Sequence, residues 1–301
     1  MEGKVGLVGL DESAPAAERE RAAMRRFGRL RWGLAAGAIL LLIVAGAVFA
    51  PWVAPHDPLA VNIRHRLAAP AWMEGGSPQH LLGTDQVGRD LLSRMIFGGR
   101  VSLVVGVAAV LLSSTIGVLL GLAAGYFGRR TDWTIMTLVN VMLTFPFVLL
   151  ALAVIAVLGP SLGNMIIVLG VAGWPIYARV VRAETMAIRE REFILAGRAL
   201  GMSHARIIFR QIVPNLVSAI VVIATLQVAQ VIIAESFLSF LGLGIQPPTP
   251  AWGNMLGEGR VYMLNSWWIA TFPGLAIFVT ALMINLMGNA LRDWFDPHMK
   301  L

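Results

Sequence analysis

"REFILAGRALGMSHARIIFRQIVPN", Arg191 to Asn215, is a compact basic segment set between two long apolar stretches of the chain. Its apolar and small residues recur at the i, i+3, i+4 and i+7 positions of one helical face, namely Phe193, Ala196, Gly197 and Leu200. Gly201 suits a left-handed helix end, and Ser203 suits the N-cap of a second helix. We therefore predict two short helices around a turn, with Pro214 in the first turn of the helix that follows. The pattern fits either an amphipathic helix resting on lipid head groups or a rigid unit that docks on a partner protein.

The composition of the whole chain indicates a membrane protein. Of its 301 residues 57% are hydrophobic and only 14% are charged, and the mean hydropathy is +0.74. Soluble domains carry about 25% charged residues. There is no cysteine, which excludes disulfides, thiolate nucleophiles and cysteine-based metal sites. We attribute the net charge of +7 to loops that face an anionic membrane leaflet, and not to nucleic-acid binding.

Six stretches are long and apolar enough to cross a bilayer, which takes about 20 residues. They cover residues 33–53, 101–127, 133–158, 161–181, 215–241 and 267–290. The fold class predicted is an all-α membrane protein with six transmembrane helices in a domain over residues 33–297. Residues 1–32 are expected to form a partly disordered cytoplasmic tail, with its last arginines at the inner membrane surface.

The distribution of positive charge predicts the orientation. With a cytoplasmic N-terminus, the tail, the 128–132 turn, the 182–214 loop with Arg179 and the C-terminus carry 18 of the 24 Lys and Arg residues. Cytoplasmic loops are enriched in these residues, so both termini are expected to be cytoplasmic. Lysine occurs only as Lys4 and Lys300, and neither precedes Ser or Thr. The chain therefore lacks a phosphate-binding P-loop.

Glu235 is the only Asp, Glu, Lys, Arg or His residue clearly within a predicted span. Ion-driven transporters usually bury several such groups, so this pattern argues against an ion-coupled transporter. Glu235 is expected either to take part in an external gate or substrate contact, or to be a hydrogen-bonded structural acid. Gly117, Gly121 and Gly125 recur every four residues and predict close helix packing.

The 54–100 loop is expected to be external and to include an amphipathic helix along the membrane surface. Its charged residues Asp85, Arg89 and Asp90 are candidates for substrate contact or for a structural role, and Asp85 and Arg89 are spaced to pair. His80 is expected to be structural or at the surface, because no second metal ligand lies at a suitable spacing.

Four segments together resemble one protein family. Leu195-Ala196-Gly197, Gly201 and Pro214 fall in the register of a cytoplasmic motif, although Leu195 replaces its glutamate. The other segments are "HLLGTDQVGRDLLSRMIFGGRVSL" (80–103), "SFLGLGIQPPTPAWGNML" (239–256) and "LMGNALRDWFDP" (286–297). From about residue 34 to 297 the chain is similar to C-type permease subunits of ATP-binding cassette (ABC) importers of the dipeptide, oligopeptide and nickel class.

This resemblance implies a type I ABC importer permease fold in a bacterial or archaeal plasma membrane. The 183–214 loop would be the coupling helix that contacts an ATPase. The residues carried over to that role are Phe193, Leu195, Ala196, Gly197, Arg198, Leu200, Gly201, Ile212 and Pro214. Glu235, Asp85, Arg89, Asp90 and Trp252 are candidates for the pathway or outer face, and the Pro-rich turn at 247–250 for contact with a binding protein.

The implied partners are a homologous second permease, two ABC ATPases, an extracytoplasmic substrate-binding protein and membrane lipid. ATP and Mg would bind the ATPases, so no cofactor, metal or catalytic residue is expected in this chain. The substrate class expected is di- and oligopeptides, with nickel complexes or glutathione as the alternative. An ion-coupled transporter and a membrane scaffold are the rival functions.

Overall fold

The computed structural model describes the backbone from Ala16 to Phe295 and the side chains from Trp32 to Trp294. Within these bounds the chain is helical and has no β-strand. The α-helices are α1 (Ala16–Val48), α2 (Ala50–Val53), α3 (Leu91–Phe127), α4 (Arg129–Thr144), α5 (Phe147–Leu158), α6 (Leu162–Arg189), α7 (Glu192–Ala199), α8 (His204–Ile207), α9 (Val213–Phe240), α10 (Trp252–Gly259) and α11 (Trp268–Phe295).

The membrane-spanning character predicted from hydropathy is confirmed. The segments Leu91–Phe127, Leu162–Arg189, His204–Phe240 and Trp268–Trp294 are each long and apolar enough to cross a membrane. The α4–α5 pair makes a fifth span if it counts as one, and α1 contributes a shorter apolar stretch, Trp32–Val48. The all-α membrane fold is thus confirmed, while the count of six spans stays a prediction.

Helix α1 extends well beyond the predicted first span. Its backbone is helical from Ala16, so no break separates the span from the second half of the predicted tail. The expectation of disorder at residues 1–15, and the side chains of the tail arginines, lie outside the described residues.

The predicted span over 133–158 is sharply bent at Pro146, and whether it crosses the membrane as one span stays a prediction. Helices α4 and α5 meet at an angle of 88°. Pro146 lacks a backbone N–H, and Phe145 before it has the extended backbone that a following proline favours. The break therefore follows from proline stereochemistry in an otherwise apolar segment.

The prediction of a separate surface helix in the 54–100 loop is also wrong. Helix α3 runs without interruption from Leu91 to Phe127, so its first turns include the apolar stripe expected on the surface. Asp90 starts it as an N-cap, because its carboxylate accepts the Ser93 N–H at 2.8 Å. The residues before Asp90 form turns, so Asp85 and Arg89 pair across a turn and not along a helix.

The second helix of the 191–215 segment is continuous with the next span. The helical stretch runs from His204 to Phe240 and contains a π-helical turn at Ile208–Ile212. Pro214 lies in the first turn of α9, directly after this π-turn. Proline interrupts the α-helical hydrogen-bond ladder, and a π-turn is one way to accommodate that interruption inside a helix.

Helices α3 and α6 pack along the predicted glycine series, and the packing role of these glycines is confirmed. A Cβ atom at Gly117 would lie 2.5 Å from the Trp174 carbonyl oxygen. At Gly121 it would lie 2.8 Å from the Ala178 carbonyl oxygen, and at Gly125 2.7 Å from that of Arg182. The two backbones therefore approach as closely as only glycine permits. Helix α9 packs on α3 and α11, and α10 packs against α9 and α11.

Candidate functional site

The 191–214 loop is folded against the ends of α3 and α6. Ile194, Ile207 and Ile212 are completely buried, and they join an apolar cluster with residues of both long helices. The members from those helices are Leu122, Tyr126, Val181 and Ile188. The loop is thus attached to α3 and α6 by its own core, in addition to its chain connections to α6 and α9.

The predicted helix ends in this loop are confirmed. Gly201 has a φ of +75°, a left-handed conformation that favours glycine. The Gly201 N–H donates to the Arg198 carbonyl and the Met202 N–H to that of Gly197, each at 3.0 Å. These two bonds form a Schellman end to α7. Ser203 caps α8 by accepting the Arg206 N–H at 3.4 Å.

The structure divides the helical face that the sequence predicts. Gly197 is buried, and a Cβ atom there would lie 3.1 Å from Met202 Sδ and 3.3 Å from the Gln211 amide. Its small size is therefore explained by packing within the loop. The other large apolar or small residues point outward and define what we call the exposed loop surface: Phe193, Leu195, Ala196, Leu200 and Phe209. Leu200 is 84% exposed.

Polar contacts tie the loop to the end of α3. Tyr126 Oη lies 2.8 Å from His204 Nδ1, and the Arg198 guanidinium lies over the Tyr126 ring at 5.3 Å from its centroid. Beside these loop contacts, Arg189, the last residue of α6, donates to the carbonyls of Gly125 and Tyr126 at 3.2 and 3.1 Å. These carbonyls belong to the last turn of α3, where helix carbonyls lack intrahelical partners. Sequence reasoning missed Tyr126 and His204, since each ends or begins a helix far from the other in the chain.

At the other end of the molecule, Asp85 and Arg89 belong to a buried ion network. Arg89 Nε lies 2.6 Å from Asp85 Oδ2, which also pairs with Arg94. Arg94 and Arg89 reach Glu258 of α10 at 3.0 and 3.3 Å. Gln86 donates to the same Glu258 carboxylate at 2.9 Å. The network joins the 85–94 segment to α10, and sequence reasoning did not find Glu258.

Asp90 combines its capping role with contacts to two histidines. Its Oδ1 lies 2.9 Å from His80 Nδ1 and 3.7 Å from His56 Nδ1. The buried contact with Asp90 agrees with the structural role expected for His80, but the structure also brings together three possible ligands that sequence spacing did not reveal. The sequence could not reveal this, because the turns between His56 and Asp90 bring the three residues together.

Trp252 is buried and does not form part of an exposed outer surface. Its Nε1 donates to the Met95 carbonyl at 2.9 Å, and a Cβ atom at Gly99 would lie 2.7 Å from its ring. Trp252 therefore packs α10 on the start of α3. Residues 246–249 of the neighbouring Pro-rich turn are exposed.

Glu235 is completely buried between α9 and α3. Its carboxylate accepts hydrogen bonds from Ser239 Oγ at 2.7 Å, Ser102 Oγ at 3.0 Å and Ser236 Oγ at 3.3 Å. Three hydroxyl donors around a buried acid are the partners that such a group needs.

Comparison with known proteins assigns two segments of the chain to families. The family described as "Binding-protein-dependent transport system inner membrane component" matches residues 117–301, and "N-terminal TM domain of oligopeptide transport permease C" matches residues 21–70. The Di/tripeptide transport system permease protein DppC of Pseudomonas aeruginosa is 46% identical over 87% of this chain and 86% of its own. The Glutathione transport system permease protein GsiD of Escherichia coli O6:K15:H31 is 43% identical over 92% and 89%.

A further relative and a solved structure agree with this pattern. The Dipeptide transport system permease protein DppC of Haemophilus influenzae is 42% identical over 89% of this chain and 91% of its own. A chain of the inward-facing MetNI methionine ABC transporter superposes with a TM-score of 0.54 at 19% identity. It covers 66% of this chain and 94% of its own length, and this likeness concerns the fold alone.

Proposed function

The chain belongs to the family of binding-protein-dependent transport system inner membrane components, and we propose that it forms half of a translocation pathway for di- and oligopeptides. It is a multi-pass membrane permease subunit of an ABC importer and not an enzyme, and ATP hydrolysis lies on separate subunits. The substrate class, the specific partners and the sites of contact are the proposed part.

The observation that carries the peptide proposal is the identity of 46% with a di/tripeptide permease over nearly the whole chain. The relative named for glutathione supports the same substrate class, because glutathione is itself a tripeptide. Near the proposed outer end, Asp85, Arg89, Arg94 and Glu258 are paired with one another. Charges that are already paired are less available to select a substrate, which agrees with selection by the binding protein.

The exposed loop surface is the proposed contact with an ATPase subunit. Three of its large apolar side chains, those of Phe193, Leu195 and Leu200, lie outside the candidate membrane spans, and Leu200 is 84% exposed. Exposed apolar clusters mark contacts with proteins or with the membrane, and we propose the protein contact because the chain belongs to a family of importer permeases. The buried side of the loop is packed on α3 and α6, so a movement of the loop would be carried to those helices.

The remaining partners follow from the family and the charge distribution. We propose a second, homologous permease, two ABC ATPases that bind ATP and Mg, and an extracytoplasmic binding protein that meets the exposed turn at 246–249. Both termini would be cytoplasmic, in a bacterial or archaeal plasma membrane, because the predicted inner segments hold most of the Lys and Arg residues.

Uptake by the complete complex in proteoliposomes tests the proposed function. We expect labelled di- and tripeptides to accumulate only when ATP is supplied, and a protonophore to leave that uptake unchanged. The controls are a free amino acid and Ni²⁺ with the same binding protein. Uptake that persists without ATP and stops with the protonophore would contradict an ABC importer. ATP-driven uptake of Ni²⁺ without peptide uptake would contradict only the substrate class.

A further inference from the structure

We propose that His56, His80 and Asp90 form a binding site for a divalent transition cation of the zinc type. The three residues come from separate places: the turn after α2, the loop that follows it, and the N-cap of α3. One ligand atom from each lies within 4.8 Å of the other two. The proposal concerns this chain alone and does not depend on the substrate.

The distances between the ligand atoms match a metal site. Zinc bonds to histidine nitrogen and carboxylate oxygen at about 2.0–2.2 Å, so two ligands of a tetrahedral site lie about 3.4 Å apart. Asp90 Oδ1 lies 2.9 Å from His80 Nδ1 and 3.7 Å from His56 Nδ1. These two values lie on both sides of the tetrahedral one, and all three ligand atoms lie within 4.8 Å of one another, so rotation of the rings would bring them around one cation.

The surroundings of Asp90 hold its carboxylate in a binding orientation. Its Oδ2 accepts from the Ser93 N–H at 2.8 Å and from Ser93 Oγ at 2.7 Å, which leaves Oδ1 for the histidine side. Ser93 Oγ also accepts the His56 N–H at 3.0 Å and so fixes the backbone that carries His56. Hydrogen bonds that orient ligands in this way are typical of metal sites.

The ligand set indicates which cations would bind. Two imidazoles and one carboxylate suit zinc and neighbouring transition metals, whereas Ca²⁺ and Mg²⁺ prefer oxygen ligands throughout. The Asp90 side chain is 1% exposed and that of His80 9%, while His56 is 39% exposed. A cation would therefore enter past His56 and keep a water molecule in its fourth position.

Binding would link the segment after α2 to the start of α3. In the absence of a cation, the same geometry serves as a hydrogen bond from His80 Nδ1 to Asp90 Oδ1. The experiment has to separate these two states. His65 offers a matched control, because its ring lies 5.7 Å from that of His80 while its Nδ1 contacts Asn62 at 3.0 Å.

The test is cation binding by the full-length chain, purified with a tag free of histidine, stripped with a chelator and dialysed against Zn²⁺. We expect one zinc per wild-type chain and the same for His65→Ala. His56→Ala and Asp90→Asn should each lower the affinity at least 10-fold. The Asp90→Asn side chain can still cap α3, and His56 is partly exposed, so both variants are expected to fold.

A second readout is thermal unfolding, in which zinc should raise the midpoint of the wild type and of His65→Ala but not of His56→Ala. The absence of stoichiometric binding by the wild type would overturn the proposal. So would zinc binding that His56→Ala and Asp90→Asn leave unchanged. In either case His56, His80 and Asp90 would only form a hydrogen-bonded contact between the two segments and would not bind a cation.

Discussion

Tyr126 at the end of α3 and His204 at the start of α8 are joined by a contact of 2.8 Å between Oη and Nδ1. The residues are distant in sequence, and the contact connects the span that packs on α6 to the loop that leads into α9. The Arg198 guanidinium covers the same tyrosine ring. The loop is therefore held to α3 by a hydrogen bond and a cation–π contact as well as by its apolar core.

Tyr126→Phe should weaken the transmission of loop movement without unfolding the chain. The ring that packs under Arg198 stays, and only the hydrogen bond is lost, which is worth about 1 kcal/mol, or roughly fivefold in an equilibrium. We expect transport per ATP hydrolysed to fall by up to about fivefold in the reconstituted complex. Tyr262→Phe, on the 3₁₀ turn after α10, is the control and should be neutral. If Tyr126→Phe and Tyr262→Phe transport the same amount of peptide per ATP hydrolysed, the Tyr126 contact has no role in transmission.

Gly121→Ala should destabilise the α3–α6 pair. The added Cβ would lie 2.8 Å from the Ala178 carbonyl oxygen, and overpacking of this kind costs about 1–3 kcal/mol. At Gly37 of α1 nothing lies within 4 Å of an added Cβ, so Gly37→Ala should be neutral or slightly stabilising. Thermal unfolding of the two variants in the same detergent checks the difference. A Gly121→Ala midpoint at or above that of Gly37→Ala would show that the close approach is absent.

Arg94→Met should be strongly destabilising. The Arg94 side chain is almost completely buried and pairs with Asp85 and Glu258, so its removal leaves these two carboxylates with Arg89 as their one shared cationic partner. Breaking a buried pair in this way costs about 3–5 kcal/mol. Arg64 is exposed, and Arg64→Met should cost almost nothing. Thermal unfolding in lipid nanodiscs measures both, and similar midpoints would mean that the network is not formed.

Glu235→Gln tests which of the two expected roles this residue has. Its complete burial and its three serine donors support the structural role. We expect the variant to change the uptake of cationic and neutral dipeptides by the same factor. Ser239→Ala removes one of the donors and should cost about 1 kcal/mol of stability with the same uptake ratio. A selective loss of cationic peptides in Glu235→Gln would instead indicate contact with the substrate.

The sequence predicts local features of this fold well. Hydropathy locates the apolar helices, the glycine series on α3 predicts close packing, and Gly201 and Ser203 mark real helix ends. Each of these depends on residues within a few turns of one another. Breaks between helices are harder to predict from sequence. Pro146 lies at a sharp bend between two helices, whereas Pro214 lies in a helical stretch that continues through a π-turn.

Contacts between distant segments could not be predicted. The partner of Asp85 and Arg94 on α10, Glu258, and the approach of His56 to Asp90 depend on how turns and helices pack in space. The same holds for Gly197, whose neighbours Met202 and Gln211 lie inside the loop. Periodicity placed Gly197 on one face with Leu200, but it could not say which part of that face is covered by the protein itself.

The most direct test of the proposed coupling is Leu200→Asp in the assembled complex. Leu200 is 84% exposed, so the change should leave the fold intact while it places a charge on the exposed loop surface. Leu264 is 98% exposed on the turn after α10, and Leu264→Asp is the matched control. The readout is the amount of ATPase subunit that co-purifies with the permease, together with peptide uptake. We expect both to fall at least 10-fold in Leu200→Asp and co-purification to be unchanged in Leu264→Asp, since a charge buried in an apolar contact costs well over 1.4 kcal/mol. Unchanged co-purification and uptake in Leu200→Asp would contradict the assignment of this loop as the contact with the ATPase.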